Sequence, residues 1–230
     1  MEEHLITVAR SARYYTCGAS TPGARVAEVW FVLHGYGQLA SRFGSHFERL
    51  AGPARLIVAP EGLSRFYASD GPGGRLADRR VGASWMTRED RLAEITDYVA
   101  YLDAVHGAVL AGVTGQRPLV TVLGFSQGTA TACRWVAQGV VRPRRLILWG
   151  GDVPPDLDLG ASRARFGALD LTLVVGRRDE YITPKILTRD TERLAQHEVP
   201  FKVVHYDGGH EIDEAVLQRL GEEGRGKGEG

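Results

Sequence analysis

Six short apolar runs, most of them rich in β-branched residues, constrain this chain more than anything else in it. They are Val29–Leu33, Arg55–Pro60, Val120–Leu123, Arg145–Gly150, Leu171–Gly176 and Phe201–Tyr206. A run that does not alternate apolar with polar residues suits a strand buried on both faces. Between the runs the spacing becomes helical, at Phe43, Phe47 and Leu50, at Ile95, Val99, Leu102 and Val105 across Asp90–Leu110, from Pro184 to about His197, and again from about Glu211. Strands alternating with helices predict an α/β fold: a mostly parallel central sheet with helices on both faces, whose ligands gather at the carboxyl ends of the strands. Residues 151–165 are loop-like and too few for a large lid domain. A chain of 230 residues is long enough for one sizeable core and short for two. We expect a single domain over residues 1–220, opened by a strand within Leu5–Tyr15, and a disordered Gly- and charge-rich tail over 221–230.

The third of these runs breaks at Gly124-Phe125-Ser126-Gln127-Gly128, and small residues suited to a closely packed helix follow, Thr129 to Cys133. A strand, a sharp turn and a helix with serine at the tip would expose the Ser126 hydroxyl at a helix N-terminus, where partial positive charge favours a developing oxyanion. The five-residue pattern alone is a weak signal, and its flanks strengthen it. Acyl transfer by serine also needs a base, a carboxylate that orients the base, and two N–H donors for the oxyanion.

His210 is the best base, because it follows the last strand through Gly208-Gly209. His34 also ends a strand but precedes a glycine loop that it more simply supports, while His46, His106 and His197 fall in helices or at their ends and His205 within a strand. Asp179, three residues past Gly176, is the best carboxylate and fits the chain order serine, aspartate, histidine. Asp152, just beyond the preceding strand, is its rival. The oxyanion donors are expected from the backbone N–H of Gln127, in the turn, and of Tyr36, after His34-Gly35.

Lys+Arg total 28 against 28 Asp+Glu, a net charge of zero that gives no mark of a nucleic-acid partner. The two cysteines, Cys17 and Cys133, form neither a disulfide framework nor a metal-ligand spacing, and no metal site is expected. The first residues lack the basic and apolar segments of a signal peptide, and no apolar stretch is long enough for an integral membrane segment, so a cytoplasmic protein is the expectation.

His34-Gly35-Tyr36-Gly37, Gly124-Phe125-Ser126-Gln127-Gly128, Gly176 with Asp179, and Gly209-His210-Glu211-Ile212 together resemble the phospholipase/carboxylesterase family of α/β-hydrolases, which includes acyl-protein thioesterases. The resemblance implies the α/β-hydrolase fold, nucleophile Ser126, acid Asp179, base His210 and oxyanion amides at Tyr36 and Gln127. Gln38 stands where many members carry aspartate, and Trp85-Met86-Thr87 where many carry Trp-Phe-Asp, so the pocket is expected to differ from theirs.

The one long irregular segment, Glu61–Glu89, is the expected pocket wall, with Phe66, Tyr67, Trp85 and Met86 as substrate-lining candidates. Loop aromatics are as often packed beneath a loop to hold it down. Its arginines, Arg65, Arg79 and Arg80, read more simply as solvated charges than as an anion trap. The expected activity is a serine carboxylic-ester hydrolase acting on a small-molecule ester or thioester without cofactor. The alternatives are a lysophospholipase or acyl-protein thioesterase and, outside catalysis, an idle hydrolase fold used as a small-molecule receptor. Either a monomer or a homo-oligomer is compatible with this sequence.

Overall fold

The computed structural model describes residues 1–19, 25–68 and 79–223. The apolar runs build a seven-stranded sheet of order β1-β3-β2-β6-β7-β8-β9. Its strands are β1 (Tyr14–Cys17), β2 (Glu28–Leu33), β3 (Arg55–Pro60), β6 (Leu119–Phe125), β7 (Arg145–Trp149), β8 (Asp170–Gly176) and β9 (Phe201–Tyr206). β1 runs antiparallel to β3 and the remaining neighbours are parallel. The helices are α1 (Ala40–Gly44), α2 (Arg91–Ala111), α3 (Gln127–Gln138), α4 (Arg163–Gly167), α5 (Pro184–Gln196) and α6 (Glu214–Glu223), with a 3-10 turn over Ser45–Leu50. Pro184 opens α5 behind Thr183, whose hydroxyl caps the Ile186 N–H.

Two cores explain why the central runs carry no polar alternation. On β2, Phe31 and Leu33 enter one core with side chains of α2, α3, α4 and α5. Trp30 and Val32, pointing the other way, enter a second core with Phe43, Phe47 and Leu50 and with Val216, Leu217 and Leu220 of α6. Every residue of β2 and β7 is buried in consequence.

Three expectations need correction. The alternating stretch Leu5–Tyr15 pairs only from Tyr14, and residues 1–13 lie exposed outside any strand, with Leu5, Ile6 and Val8 covered by no described residue. The segment Glu61–Glu89 is not wholly irregular. Its ends form an antiparallel ribbon of β4 (Ser64–Tyr67) and β5 (Val81–Ser84), in register Ser64 to Ser84. Finally, the last helix begins at Glu214 and runs to Glu223, so Gly221 is helical. The Gly71-Pro72-Gly73-Gly74 stretch, the Thr21-Pro22-Gly23 turn and tail residues 224–230 lie outside the described residues.

α6 is tied down at its carboxyl end by two buried arginines. Arg55 donates to Gly221 O (2.6 Å) and Arg145 to Leu220 O (2.9 Å), satisfying carbonyls that the end of a helix leaves without partners. Arg55 is itself paired with Glu28 (2.7 Å). No helix among the described residues is long and apolar enough to cross a membrane.

Candidate active site

Ser126 joins β6 to α3 with φ 53° and ψ −119°, a backbone conformation that side-chain-bearing residues seldom hold. Its N–H donates to Trp149 O on β7 (2.9 Å), and its carbonyl accepts from the Thr129 hydroxyl (2.8 Å). The flanking glycines are required by close approach. A Cβ on Gly124 would stand 2.2 Å from Gly128 O, and one on Gly128 would stand 2.2 Å from Leu33 O. The elbow is therefore wedged against both neighbouring strands, and its geometry is over-determined. The Ser126 hydroxyl makes no hydrogen bond with any described residue.

Beyond β8, Asp179 is buried and fully committed. Its Oδ1 accepts from the Tyr181 N–H (2.8 Å) and Ile182 N–H (3.0 Å), while Oδ2 lies 2.9 Å from His210 Nδ1. Two backbone donors fix the carboxylate so that its second oxygen can orient the imidazole. His210 sits between aromatic rings, 4.9 Å from Phe125, the residue before Ser126, and 4.5 Å from Tyr181. Gly150 ends β7 at φ +57°, and a Cβ there would lie 3.3 Å from the His210 ring and 3.4 Å from Asp179 Oδ2. The carbonyls on either side of His210 are pinned as well: the Tyr206 hydroxyl lies 2.7 Å from both Gly209 O and Glu211 O, and Trp149 Nε1 donates to Glu211 O (2.9 Å). Burial pushes the Tyr206 phenol above its usual pKa, keeping it in the protonated form that can bridge these carbonyls.

Asp152, the alternative carboxylate, is bound instead to Arg189 (3.0 Å). His34 has both ring nitrogens occupied, Nδ1 against Gly35 O (2.8 Å) and Nε2 accepting from the Gly62 N–H (2.9 Å). Because a carbonyl can only accept, the proton resides on Nδ1 and the ring is neutral. Burial lowers its pKa, which favours the same form. His34 is thus a brace for the loop that follows it. Cys133 is fully buried in α3, where desolvation raises its thiol pKa and leaves it unreactive.

The loop at residues 35–38 is held on two sides. Gly35 donates to the Gln38 side chain (2.8 Å), and β5 takes the outer edge through Gly37 N–H to Ala83 O (2.9 Å) and Ala83 N–H to Gln38 O (3.1 Å). The Tyr36 and Gln127 N–H groups donate to no other described residue, which leaves both available to a ligand.

The four substrate-lining candidates divide. Phe66 stacks on the exposed Tyr36 ring at 5.1 Å, beside the loop, and Tyr67 is exposed. Trp85, expected in the pocket wall, is a core residue instead: it is 1% exposed, stacks on His34 at 5.0 Å and donates to His34 O (2.8 Å). Met86 is half-buried against the same core, near Arg134. Both therefore pack beneath the segment and hold it down.

One further contributor, the Gln127 side chain, is visible only in the structure. Its Oε1 accepts from the Trp85 N–H (3.1 Å), and its Nε2 donates to Met86 O (2.8 Å) and Ser84 Oγ (3.2 Å). Elbow and ribbon are thereby locked together. Gln127→Leu keeps the backbone N–H but strands these partners, and we expect it to cost about 2 kcal/mol of stability in urea unfolding. A loss below about 0.5 kcal/mol would show that water replaces the amide without penalty.

The same architecture recurs in solved structures. Acyl-protein thioesterase 2 of Zea mays matches with a TM-score of 0.67 at 18% identity, over 93% of this chain and 97% of that one. Esterase PE8 matches at 0.69 and 20% identity, over 94% and 99%. A carboxylesterase from Mesorhizobium loti matches at 0.66 and 20%, over 91% and 93%. These likenesses establish the α/β-hydrolase fold. No curated protein sequence matches the chain. The family is established by the sequence itself: the model described as Serine hydrolase (FSH1) matches residues 29–215, from β2 to the start of α6, and the chain belongs to this family of serine hydrolases.

Proposed function

We propose that the protein is a carboxylic-ester hydrolase that forms an acyl-enzyme on Ser126. The observation that carries this reading is the 2.9 Å contact between His210 Nδ1 and a fixed Asp179, next to a serine held at a strained elbow. Ser126 Oγ attacks the ester carbonyl while its proton passes to His210 Nε2. Asp179 keeps the other ring proton on Nδ1 and stabilises the imidazolium. The N–H groups of Tyr36 and Gln127 hold the tetrahedral oxyanion, each contributing about 3 kcal/mol when correctly aimed. Collapse releases the alcohol, which takes the proton from His210, and a water molecule activated by the same ring then cleaves the acyl-enzyme. A catalytic bond between Ser126 and His210 that tightens only with substrate bound is common in hydrolases.

A thioester substrate is the second reading, favoured by the likeness to an acyl-protein thioesterase. The chemistry is the same with a thiolate as leaving group. Both readings are tested by treating the protein with a fluorophosphonate and mapping the adduct, then measuring turnover of p-nitrophenyl esters and acyl thioesters of increasing chain length. We expect a single adduct on Ser126 and burst kinetics. Absence of both label and turnover would favour a non-catalytic receptor.

A further inference from the structure

A cleft of about 140 Å³ opens beside the 35–38 loop, between that loop, α1 and the start of β5. Three basic residues, all exposed, line it: Arg42 of α1, His46 of the 3-10 turn, and Arg80 just ahead of β5. No acidic residue among the described residues lines it. Nearby arginines are occupied, Arg13 and Arg65 by Glu61 (2.7 and 3.7 Å) and Arg49 by Glu214 (2.9 Å). Arg42 and Arg80 form no ion pair with any described residue. Two guanidinium groups that share a recess and have no carboxylate partner among the described residues favour an anion between them.

The recess adjoins the reacting centre. Gly37 and Gln38, in its wall, continue directly from Tyr36. Phe43, which lines it, is buried and stacks on Phe125 at 5.9 Å, and Phe125 in turn lies 4.9 Å from His210. Two aromatic rings in series, Phe43 and Phe125, stand between the basic cleft and the imidazole. Its volume suits a small headgroup better than a long acyl chain.

We propose that this cleft is a subsite for an anionic group, carboxylate or phosphate, carried by the ester substrate, so that esters with a charged terminus are preferred over neutral ones. Guanidinium forks match the oxygen spacing of both anions. The proposal rests on the reading of Ser126 as the nucleophile of an esterase.

The test compares kcat/KM for the p-nitrophenyl hemiester of glutaric acid with that for p-nitrophenyl valerate, a neutral ester of equal length. The proteins are wild type, Arg42→Gln, Arg80→Gln and the double variant. We expect wild type to prefer the hemiester about tenfold, each substitution to remove about threefold of that preference through KM, and valerate turnover to stay within about twofold. Competitive inhibition by glutarate, lost in the double variant, assigns the cleft to carboxylates, and the same result with inorganic phosphate assigns it to phosphates. Equal handling of the two esters by wild type, or a preference untouched by both substitutions, overturns the subsite while leaving the esterase intact. If wild type fails on valerate as well, the esterase reading itself has failed and the subsite falls with it.

Discussion

Ser126→Ala is expected to lower kcat/KM on p-nitrophenyl esters by about 10⁴ to 10⁶ and to abolish fluorophosphonate labelling, with no loss of thermal stability. The separation of the two effects follows from how the elbow is built. The turn is held by the Ser126 N–H on Trp149 O, by Thr129 on the Ser126 carbonyl, and by the close approach of Gly124 and Gly128 to neighbouring backbone. The hydroxyl takes part in none of these contacts, so removing it leaves the strained φ of 53° as well supported as before. What disappears is the atom that attacks. Residual turnover reflects water attack aided by the oxyanion donors. Retention of more than about a tenth of the activity would mean that the acyl group is carried elsewhere or never formed.

Asp179→Asn is expected to reduce kcat by about 10⁴, whereas Asp152→Asn should stay within about threefold of wild type. Asparagine is nearly the same shape, and its carbonyl oxygen can still accept from the Tyr181 and Ile182 N–H groups. Its NH₂ then faces His210 Nδ1, where the carboxylate accepted before. Two donors cannot share that contact, so the imidazole proton shifts to Nε2, the nitrogen that must receive the serine proton. Asp152 is paired with Arg189, and its loss removes only a half-exposed ion pair. The two variants, measured side by side on one ester, decide between the carboxylates. If Asp152→Asn gave the larger loss, the assignment would reverse.

The parts legible from sequence were those in which burial on both faces dictates composition. β2 and β7 could be recognised because every residue after their first, Glu28 and Arg145, sits in one of two cores, which leaves no position for a polar side chain over Val29–Leu33 and Leu146–Trp149. Asp179 and His210 could be placed because a parallel sheet delivers every strand end to one rim. Periodicity was misleading at Leu5–Arg13, where an alternating pattern describes a face without saying whether anything covers it. The β4–β5 ribbon was missed because its two strands are four residues each and their pairing spans a long intervening segment. Trp85 and Met86 show a further limit: an aromatic or thioether side chain in a loop can point toward ligand or toward core, and here the His34 brace decides for the core. The Gln127 side chain was invisible for a related reason, since its partners at Ser84, Trp85 and Met86 lie more than forty positions away in the chain.

The strand order carries a consequence for the timing and durability of activity. From β6 outward each strand is laid beside its predecessor, so the serine arrives at the centre of the sheet and the histidine from β9, the outermost strand, which has a neighbour only at β8. The base is thus the last part of the proposed site to leave the ribosome, and a nascent chain carries a serine that nothing can yet activate. After folding, the same rim is the natural place for partial opening, because an edge strand followed by a single helix has least to lose by fraying. Arg55 and Arg145 grip the far end of that helix and so restrain the segment that follows His210.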